Sequence, residues 1–199
     1  MNFYPYEIFL ASKSPRRQEL LKQIGIQFKV LEAEYDEAAF VRTVQYLPCE
    51  QQLQQLALYK AQTVASTLLP KNNQIPILAA DTVVCIDNEV LGKPLNEAEC
   101  IRMLMALSDR THHVKTALAL VVGEESHTCL SDNSVSFRKL QENEIRRYWQ
   151  TGEPADKAGG YAIQGIGAGF VKHISGSYSG IVGLPLYETI NLLDSFGKK

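Results

Sequence analysis

The feature that most constrains the fold is a nearly continuous apolar run from Ile75 to Ile86. An apolar run of this length is typical of a β-strand that is covered on both faces, as in an α/β protein. Asp81 and Thr82 interrupt the run, and the apolar pattern resumes after them. A carboxylate in a core strand must be paired, bound to a metal or raised in pKa, because an unpaired buried charge is costly. We interpret Asp81 as the best candidate for chemistry, the alternative being a carboxylate that caps a turn.

The segments around this run predict a long mixed β-sheet flanked by helices. Apolar residues at helical spacing predict a helix from Cys49 to about Leu69, with Pro70 ending it. Two hairpins are predicted between helices, one turning at Asp87–Glu89 and one at Gly123–Ser126. Because the hairpins lie between helices, we expect one sheet within a single domain over residues 1–199 rather than independent domains.

A strand, a polar turn and a helix are predicted near the start of the chain. Ser14 is suited to cap this helix, and Pro15 suits its first position. A helix N-terminus carries partial positive charge, yet three cations surround this one: Lys13, Arg16 and Arg17. Backbone N–H groups and cations at one spot favour a bound anion. A solvated and mildly destabilised helix start is an equally open alternative.

Other charged residues also leave alternatives open. Four carboxylates follow the second predicted strand, and they form either a solvated loop or a divalent metal site facing the basic turn: Glu32, Glu34, Asp36 and Glu37. Lys60 lies on the apolar face of its helix. Its ammonium either snorkels to water or projects into an interior cleft. Lys93 lies beside the rigid Pro94, where it is placed to contact the group on which Asp81 acts.

Two loops rich in glycine follow in the last quarter of the chain. The first covers residues 153–165 and carries Asp156, Lys157 and Gln164. Loops of this length in compact domains are usually functional or mobile.

His112 and His113 have no third ligand at metal spacing, so we predict edge or packing roles for them.

Composition excludes several classes of protein. The net charge of -2 argues against a surface that coats nucleic acid, and no apolar run approaches the length of a membrane span. The N-terminus lacks the regions of a signal peptide. The four cysteines form no Cys-x-x-Cys pair, so we expect reduced thiols in the cytoplasm. No Walker loop, Rossmann fingerprint or Gly-x-Ser-x-Gly elbow is present. The cations and carboxylates at element ends suit a polyphosphate with a metal.

Seven short segments, distributed along almost the whole chain, form a recognisable pattern through their residues and their order: Leu10–Arg17, Ala80–Val84, Leu91–Pro94, Thr111–Val114, Asp156–Tyr161, Ile163–Gly165 and Val182–Pro185. With these segments the chain resembles the Maf family of nucleoside triphosphate pyrophosphatases. The resemblance implies an elongated α/β, Maf/ITPase-like fold with a cleft between two lobes. It implies cleavage of a nucleoside triphosphate to the monophosphate and pyrophosphate with a divalent cation, Mg or Mn. It further implies a homodimer and a link to cell-division arrest.

The resemblance also implies roles for single residues. Asp81 matches the general base of the family, and Glu37 matches an acidic position near the metal that Asp81 also serves. The phosphate-handling positions are matched by Ser12, Arg17, Lys60 and Lys93. The positions that mark the subgroup acting on dTTP and UTP are matched by Arg16, Thr82 and Gln164.

The chain also departs from the family pattern, at Lys13, at Ser108–Arg110 and at Tyr59, which stands where an acidic residue is common. None of these departures touches the residues that match the site. Three alternatives to a dTTP and UTP pyrophosphatase stay open. They are a pyrophosphatase for 7-methyl-GTP or other modified or purine nucleotides, a non-catalytic nucleotide-binding regulator, and an interaction module without a nucleotide role.

Overall fold

The structure is a computed structural model that describes residues 3–68, 75–87 and 89–197. Its strands are β1 (Glu7–Leu10), β2 (Gln27–Val30), β3 (Ile77–Ile86), β4 (Glu89–Leu91), β5 (Thr111–Val122), β6 (Glu125–Phe137) and β7 (Val171–Ser175). Its α-helices are α1 (Pro15–Gln23), α2 (Glu37–Val44), α3 (Cys49–Thr67), α4 (Glu97–Leu107), α5 (Glu142–Gln150), α6 (Tyr178–Val182) and α7 (Leu186–Gly197). Three short 3-10 segments cover Glu153–Asp156, Ala158–Gly160 and Ile166–Phe170.

The strands form one mixed sheet with the order β2-β1-β3-β5-β6-β7, and β4 pairs with β3. Strand β1 runs parallel to both β2 and β3, whereas β4 is antiparallel to β3 and β7 is antiparallel to β6. The predicted α/β class and the mixed sheet flanked by helices are therefore confirmed. The elongated shape, the cleft and the single domain stay predictions.

Most local signals in the sequence correspond to the observed elements. The apolar run forms β3, and the first predicted hairpin is present as the β3–β4 pair. Asn88 in that turn, and Leu69 and Pro70 at the predicted end of the long helix, lie outside the described residues. Helix α2 was not predicted from the sequence. It begins after Asp36, whose carboxylate accepts a hydrogen bond from the amide of Ala39 at 2.8 Å.

The chain forms two compact units. The first comprises Met1–Asp81, Thr116–Ser131 and Gly183–Lys199, and its fully buried side chains include Ile8, Leu10, Leu21, Leu78, Leu118 and Leu120. The second comprises Thr82–Lys115 and Asp132–Val182. Strands β3, β5 and β6 each contribute residues to both units. No helix within the described ranges has both the length and the apolar character needed to cross a membrane.

The core of the second unit is built around Phe137, which is 1% exposed. Its ring contacts those of His112, Tyr161 and Phe170 in edge-to-face geometry, with centroids 4.7 to 6.0 Å apart. His112 is fully buried, and its Nε2 shares a hydrogen bond of 2.8 Å with the Tyr161 hydroxyl. Of the two roles predicted for His112, the structure therefore shows core packing.

Candidate functional site

The basic turn between β1 and α1 is organised around Arg17. The Nη1 atom of Arg17 donates to the Ser12 hydroxyl at 3.1 Å, and its Nε donates to the Gly183 carbonyl at 2.8 Å. Gly183 has a φ of +122°, a region that favours glycine. The amide of Ser14 donates to the same Ser12 hydroxyl at 3.3 Å. The guanidinium is thus held at two atoms beside the first turn of α1.

Lys60 places a buried ammonium between two carboxylates. Its Nζ lies 2.6 Å from Asp81 Oδ1 and 3.0 Å from Glu37 Oε2. The Lys60 side chain is 10% exposed and that of Asp81 is 16% exposed, whereas that of Glu37 is about half exposed at 49%. Burial lowers the pKa of Lys60, but the charges and hydrogen bonds of Asp81 and Glu37 outweigh burial and leave the pKa raised. The structure therefore favours the inward ammonium over a snorkelling side chain.

The same two carboxylates also act on Arg17. Burial lowers the pKa of the Arg17 guanidinium, Asp81 and Glu37 act in the opposite direction, and the neighbouring Arg16 lowers it further. An arginine stays protonated at neutral pH even with a lowered pKa. The first unit therefore holds one charged group of residues, which we call the Lys60 cluster: Ser12, Arg17, Glu37, Lys60 and Asp81.

The remaining predicted site residues lie outside this cluster. Arg16 is half-buried at the start of α1. Thr82 follows Asp81 on β3, so the two side chains point to opposite faces of the strand. Lys93 follows β4 and Gln164 lies in a turn, and both are exposed parts of the second unit. That these residues act together with the Lys60 cluster stays a prediction.

The acidic run after β2 divides into separate roles. Glu32 pairs with Lys13 at 2.7 Å on the surface, and Asp36 caps α2. Glu37, in the first turn of α2, pairs with Lys60. Of these three carboxylates, Glu37 is the one that contacts Lys60, and a metal role for the run stays a prediction.

A metal at the Lys60 cluster would need ligands beyond the protein. The described ranges contain no group of three or more His, Cys, Asp or Glu side chains able to hold a metal ion. Glu37 and Asp81 nevertheless converge on one point, which Lys60 Nζ occupies. Mg²⁺ is commonly bound through one or two carboxylates together with substrate phosphates. The donor set thus fits a divalent ion that arrives with a polyphosphate.

Aromatic residues next to the cluster were missed in the sequence. The ring of Tyr35 lies 5.9 Å from Lys60 Nζ, and it meets the ring of Tyr59 in edge-to-face geometry. Tyr59 in turn stacks on Phe40, with centroids 4.0 Å apart and ring planes 3° apart. Tyr59, the departure noted beside Lys60, is thus a packing residue that joins α3 to α2. The sequence signal for Tyr35 is its position in the acidic run, between Glu34 and Asp36.

A second missed group organises the first glycine-rich loop. The Glu153 carboxylate accepts hydrogen bonds from the Tyr148 hydroxyl at 2.6 Å and from the amides of Ile166 and Gly167, both at 3.0 Å. The Tyr148 hydroxyl accepts one from the amide of Ala162 at 3.1 Å. We call these five residues the Glu153 network. The sequence showed the glycines of this loop but not the carboxylate that holds it.

Comparison with known proteins gives one consistent result. The family model described as "Maf-like protein" matches residues 7–196. Three curated relatives named dTTP/UTP pyrophosphatase are from Pseudoalteromonas atlantica, Alkalilimnicola ehrlichii and Saccharophagus degradans. They are 49%, 48% and 47% identical over 94%, 97% and 96% of this chain, and the matches cover 95%, 94% and 89% of the relatives.

The Ham1 protein of Staphylococcus aureus is similar at a TM-score of 0.48 and 14% identity, over 97% of this chain and 100% of that one, too weakly to bear on the assignment. The family model and the relatives each match nearly the whole chain. The chain therefore belongs to the Maf family.

Proposed function

We propose that the protein is a nucleoside triphosphate pyrophosphatase that hydrolyses dTTP and UTP to the nucleoside monophosphate and pyrophosphate. The names of relatives with nearly half of their residues identical support this substrate class. The observation that carries the proposal is the Lys60 cluster, in which two carboxylates contact a buried ammonium and also act electrostatically on the Arg17 guanidinium. Such a cluster combines charges that neutralise phosphate with an acceptor for the proton of an attacking water.

Asp81 is the general base of the proposed reaction. The oxygen of a water forms a bond to the α-phosphorus, and Asp81 accepts the proton that the water loses. The bond from the α-phosphorus to the oxygen that bridges to the β-phosphate breaks, and pyrophosphate leaves with that oxygen. Asp81 lies within β3, and its carboxylate accepts a hydrogen bond from Lys60 Nζ at 2.6 Å, so its position is fixed by a strand and by a buried partner.

The cations of the site neutralise the triphosphate. Lys60 is protonated at neutral pH because its pKa is raised, and Arg17 is held in place through Ser12 and Gly183. Fixed cations aimed at phosphoryl oxygens stabilise the charge that develops as pyrophosphate leaves. We propose that Lys93 contributes a further positive charge.

Glu37 and Asp81 would hold a divalent ion, Mg or Mn, together with oxygens of the triphosphate. When bound, such an ion supplies further neutralisation of the phosphates and activates the attacking water. Lys60 must then exchange carboxylate contacts for phosphate contacts, because its ammonium occupies the point at which both carboxylates converge.

Selection of the nucleotide is assigned to three residues on different elements: Arg16, Thr82 and Gln164. An amide and a hydroxyl offer both donors and acceptors, which the edge of a pyrimidine base requires. We further propose a cytoplasmic homodimer that binds no nucleic acid or membrane. Its proposed roles are clearance of modified nucleotides and a link to cell-division arrest.

Release of pyrophosphate from a panel of nucleotides tests the proposal. We expect turnover of dTTP and UTP with Mg or Mn to exceed that of CTP, GTP and 7-methyl-GTP. The variant Asp81→Asn should lose about 10²–10⁴-fold in kcat on dTTP, the usual contribution of a positioned general base. Asp87→Asn is the matched control, because Asp87 is exposed and pairs with Arg110.

Near-normal turnover by Asp81→Asn would contradict the role of Asp81. Binding of UTP without release of pyrophosphate, with either metal, would favour a non-catalytic regulator. Faster turnover of 7-methyl-GTP than of dTTP would move the protein to the related subgroup. The absence of any thermal shift with nucleotides would favour an interaction module.

A further inference from the structure

The Glu153 network binds the backbone of the loop that carries Gln164. Glu153 Oε1 accepts from the Tyr148 hydroxyl and from the amide of Gly167, while Oε2 accepts from the amide of Ile166. Gln164 lies two residues before Ile166 and is itself exposed. The Glu153 carboxylate therefore binds two successive backbone amides, those of Ile166 and Gly167. These amides follow shortly after Gln164, the residue proposed to select the base.

Two glycines show how closely the loop approaches this network. A Cβ atom added at Gly165 would overlap the Glu153 carboxylate. A Cβ added at Gly167 would lie 2.7 Å from the Tyr148 hydroxyl and 2.9 Å from the carbonyl oxygen of Ala162. Neither glycine has the positive φ that would by itself favour glycine. The glycines are therefore needed for space, and the loop backbone rests directly on the side chains that bind it.

The network is suited to hold one conformation of the loop. Burial raises the pKa of Glu153, but hydrogen bonds from Tyr148 and from the amides of Gly167 and Ile166 outweigh burial, and the pKa is lowered. The carboxylate is thus ionised at neutral pH, and hydrogen bonds to an ionised acceptor are stronger than neutral ones. Tyr148 is itself anchored in the core of the second unit, at 3% exposed.

We infer that Glu153 and Tyr148 are positioning residues for nucleotide selection, because they fix the loop on which Gln164 meets the base. This inference rests on the proposed function. Neither side chain touches the nucleotide. Each acts through the backbone of residues 162–167, which holds Gln164 in the geometry that discriminates one base from another. A misplacement of such a loop by a fraction of an ångström is enough to weaken base selection.

The test compares nucleotide preference in single and double variants. Preference is measured as the ratio of kcat/KM for dTTP to kcat/KM for GTP. Glu153→Gln keeps the size of the side chain but cannot accept from both amides and the phenol at once. We expect it to lower the preference about 10-fold, the usual effect of losing one well-placed hydrogen bond. The expected loss lies in dTTP turnover, with kcat/KM for GTP nearly unchanged.

The double variant separates positioning from general structure. If Glu153 acts through Gln164, then Glu153→Gln added to Gln164→Ala should change the preference no further. A merely structural role would instead lower kcat/KM for both nucleotides together, in either background. Tyr148→Phe should reproduce the effect of Glu153→Gln more weakly. Glu142→Gln is the control, because Glu142 lies exposed at the start of α5 and pairs with Arg146 on the surface.

Hydrogen exchange provides a readout that does not depend on activity. We expect the amides of Ala162, Ile166 and Gly167 to exchange at least 10-fold faster in Glu153→Gln than in the wild type. Unchanged exchange would overturn the positioning role whatever the substrate. Equal losses on dTTP and GTP, or additive effects in the double variant, would overturn the role in selection. A wild type that hydrolyses no dTTP would overturn the proposed function and the role in selection with it, while the exchange result would still decide positioning.

Discussion

Replacing Lys60 by Met removes one charge from the Lys60 cluster and leaves most of the buried stem in place. The two carboxylates then lose the ammonium that lies 2.6 Å from Asp81 and 3.0 Å from Glu37. Breaking a buried ion pair by removing one partner costs about 3–5 kcal/mol. Because Glu37 is half exposed, water compensates its share, and we expect Lys60→Met to lower the free energy of unfolding by about 3 kcal/mol.

The sign of the pH dependence sets the conditions of the measurement. The pKa of Lys60 is raised above its ordinary value of 10.5, so its contribution is fully present below pH 10.5. That contribution is lost only as the pH rises through the raised pKa of the folded state. Urea unfolding at pH 7 therefore measures the whole effect.

The same substitution should strengthen metal binding in the absence of nucleotide. Two unit charges about 4 Å apart interact by about 1 kcal/mol even in bulk water, so a buried ammonium beside a divalent ion costs at least about 2 kcal/mol. Removing the ammonium should therefore tighten Mn²⁺ binding at least about 30-fold. Calorimetric titration of the nucleotide-free protein measures this affinity, and a larger gain in stability with Mn²⁺ should accompany it.

Lys13→Met is the matched control for this experiment. Lys13 pairs with Glu32 at 2.7 Å, nearly the same distance as in the Lys60–Asp81 pair, but its side chain is 77% exposed. We expect no measurable loss of stability and no change in Mn²⁺ affinity from that substitution. The reasoning would be refuted if Lys60→Met destabilised the protein no more than Lys13→Met does, or bound Mn²⁺ no more tightly than the wild type.

Two further predictions concern protons and phosphate. Burial, with a smaller effect of His113, lowers the pKa of His112 to about 4, so the stability it contributes should be present above pH 6.5 and lost as the pH falls toward 4. Urea unfolding should show the wild type losing about 2 kcal/mol more between pH 7 and pH 4.5 than His112→Gln does. Arg17→Ala should lower turnover of every nucleotide in the panel, whereas Arg16→Ala should chiefly change which nucleotide is preferred; equal losses for both would remove the distinction.

Strand β3 shows how much of the fold could be predicted from the sequence. Its near-continuous apolar character requires cover on both faces, and the break at Asp81 identified the residue around which the Lys60 cluster forms. The family segments contain seven of the nine predicted site residues, whereas Glu37 and Lys60 lie outside those segments. A short pattern describes only the few residues that it contains, so local features such as β3 and the β3–β4 hairpin could be predicted from it.

The pairings between distant residues could not be predicted. Spacing placed Lys60 on the apolar face of α3, but it could not decide between a snorkelling and an inward ammonium. That decision depends on Asp81, 21 residues further along the chain, and on Glu37, at the start of a helix that the sequence did not reveal. Glu153 was missed for a related reason, because its partners are mostly backbone amides, which every sequence contains.

Arg16 and Arg17 illustrate how the structure separates residues that charge alone treats as equivalent. Adjacent residues on a helix do not face the same direction, so the two guanidinium groups cannot serve one phosphate in the same way. Arg17 is tied to Ser12 and Gly183 and feels the carboxylates of the Lys60 cluster, and Arg16 adds a like charge beside it. The two adjacent positive charges repel each other, and this repulsion lowers the pKa of Arg17. We propose that the phosphates of the nucleotide offset this repulsion at Arg17, and that a contact with the base or sugar offsets it at Arg16.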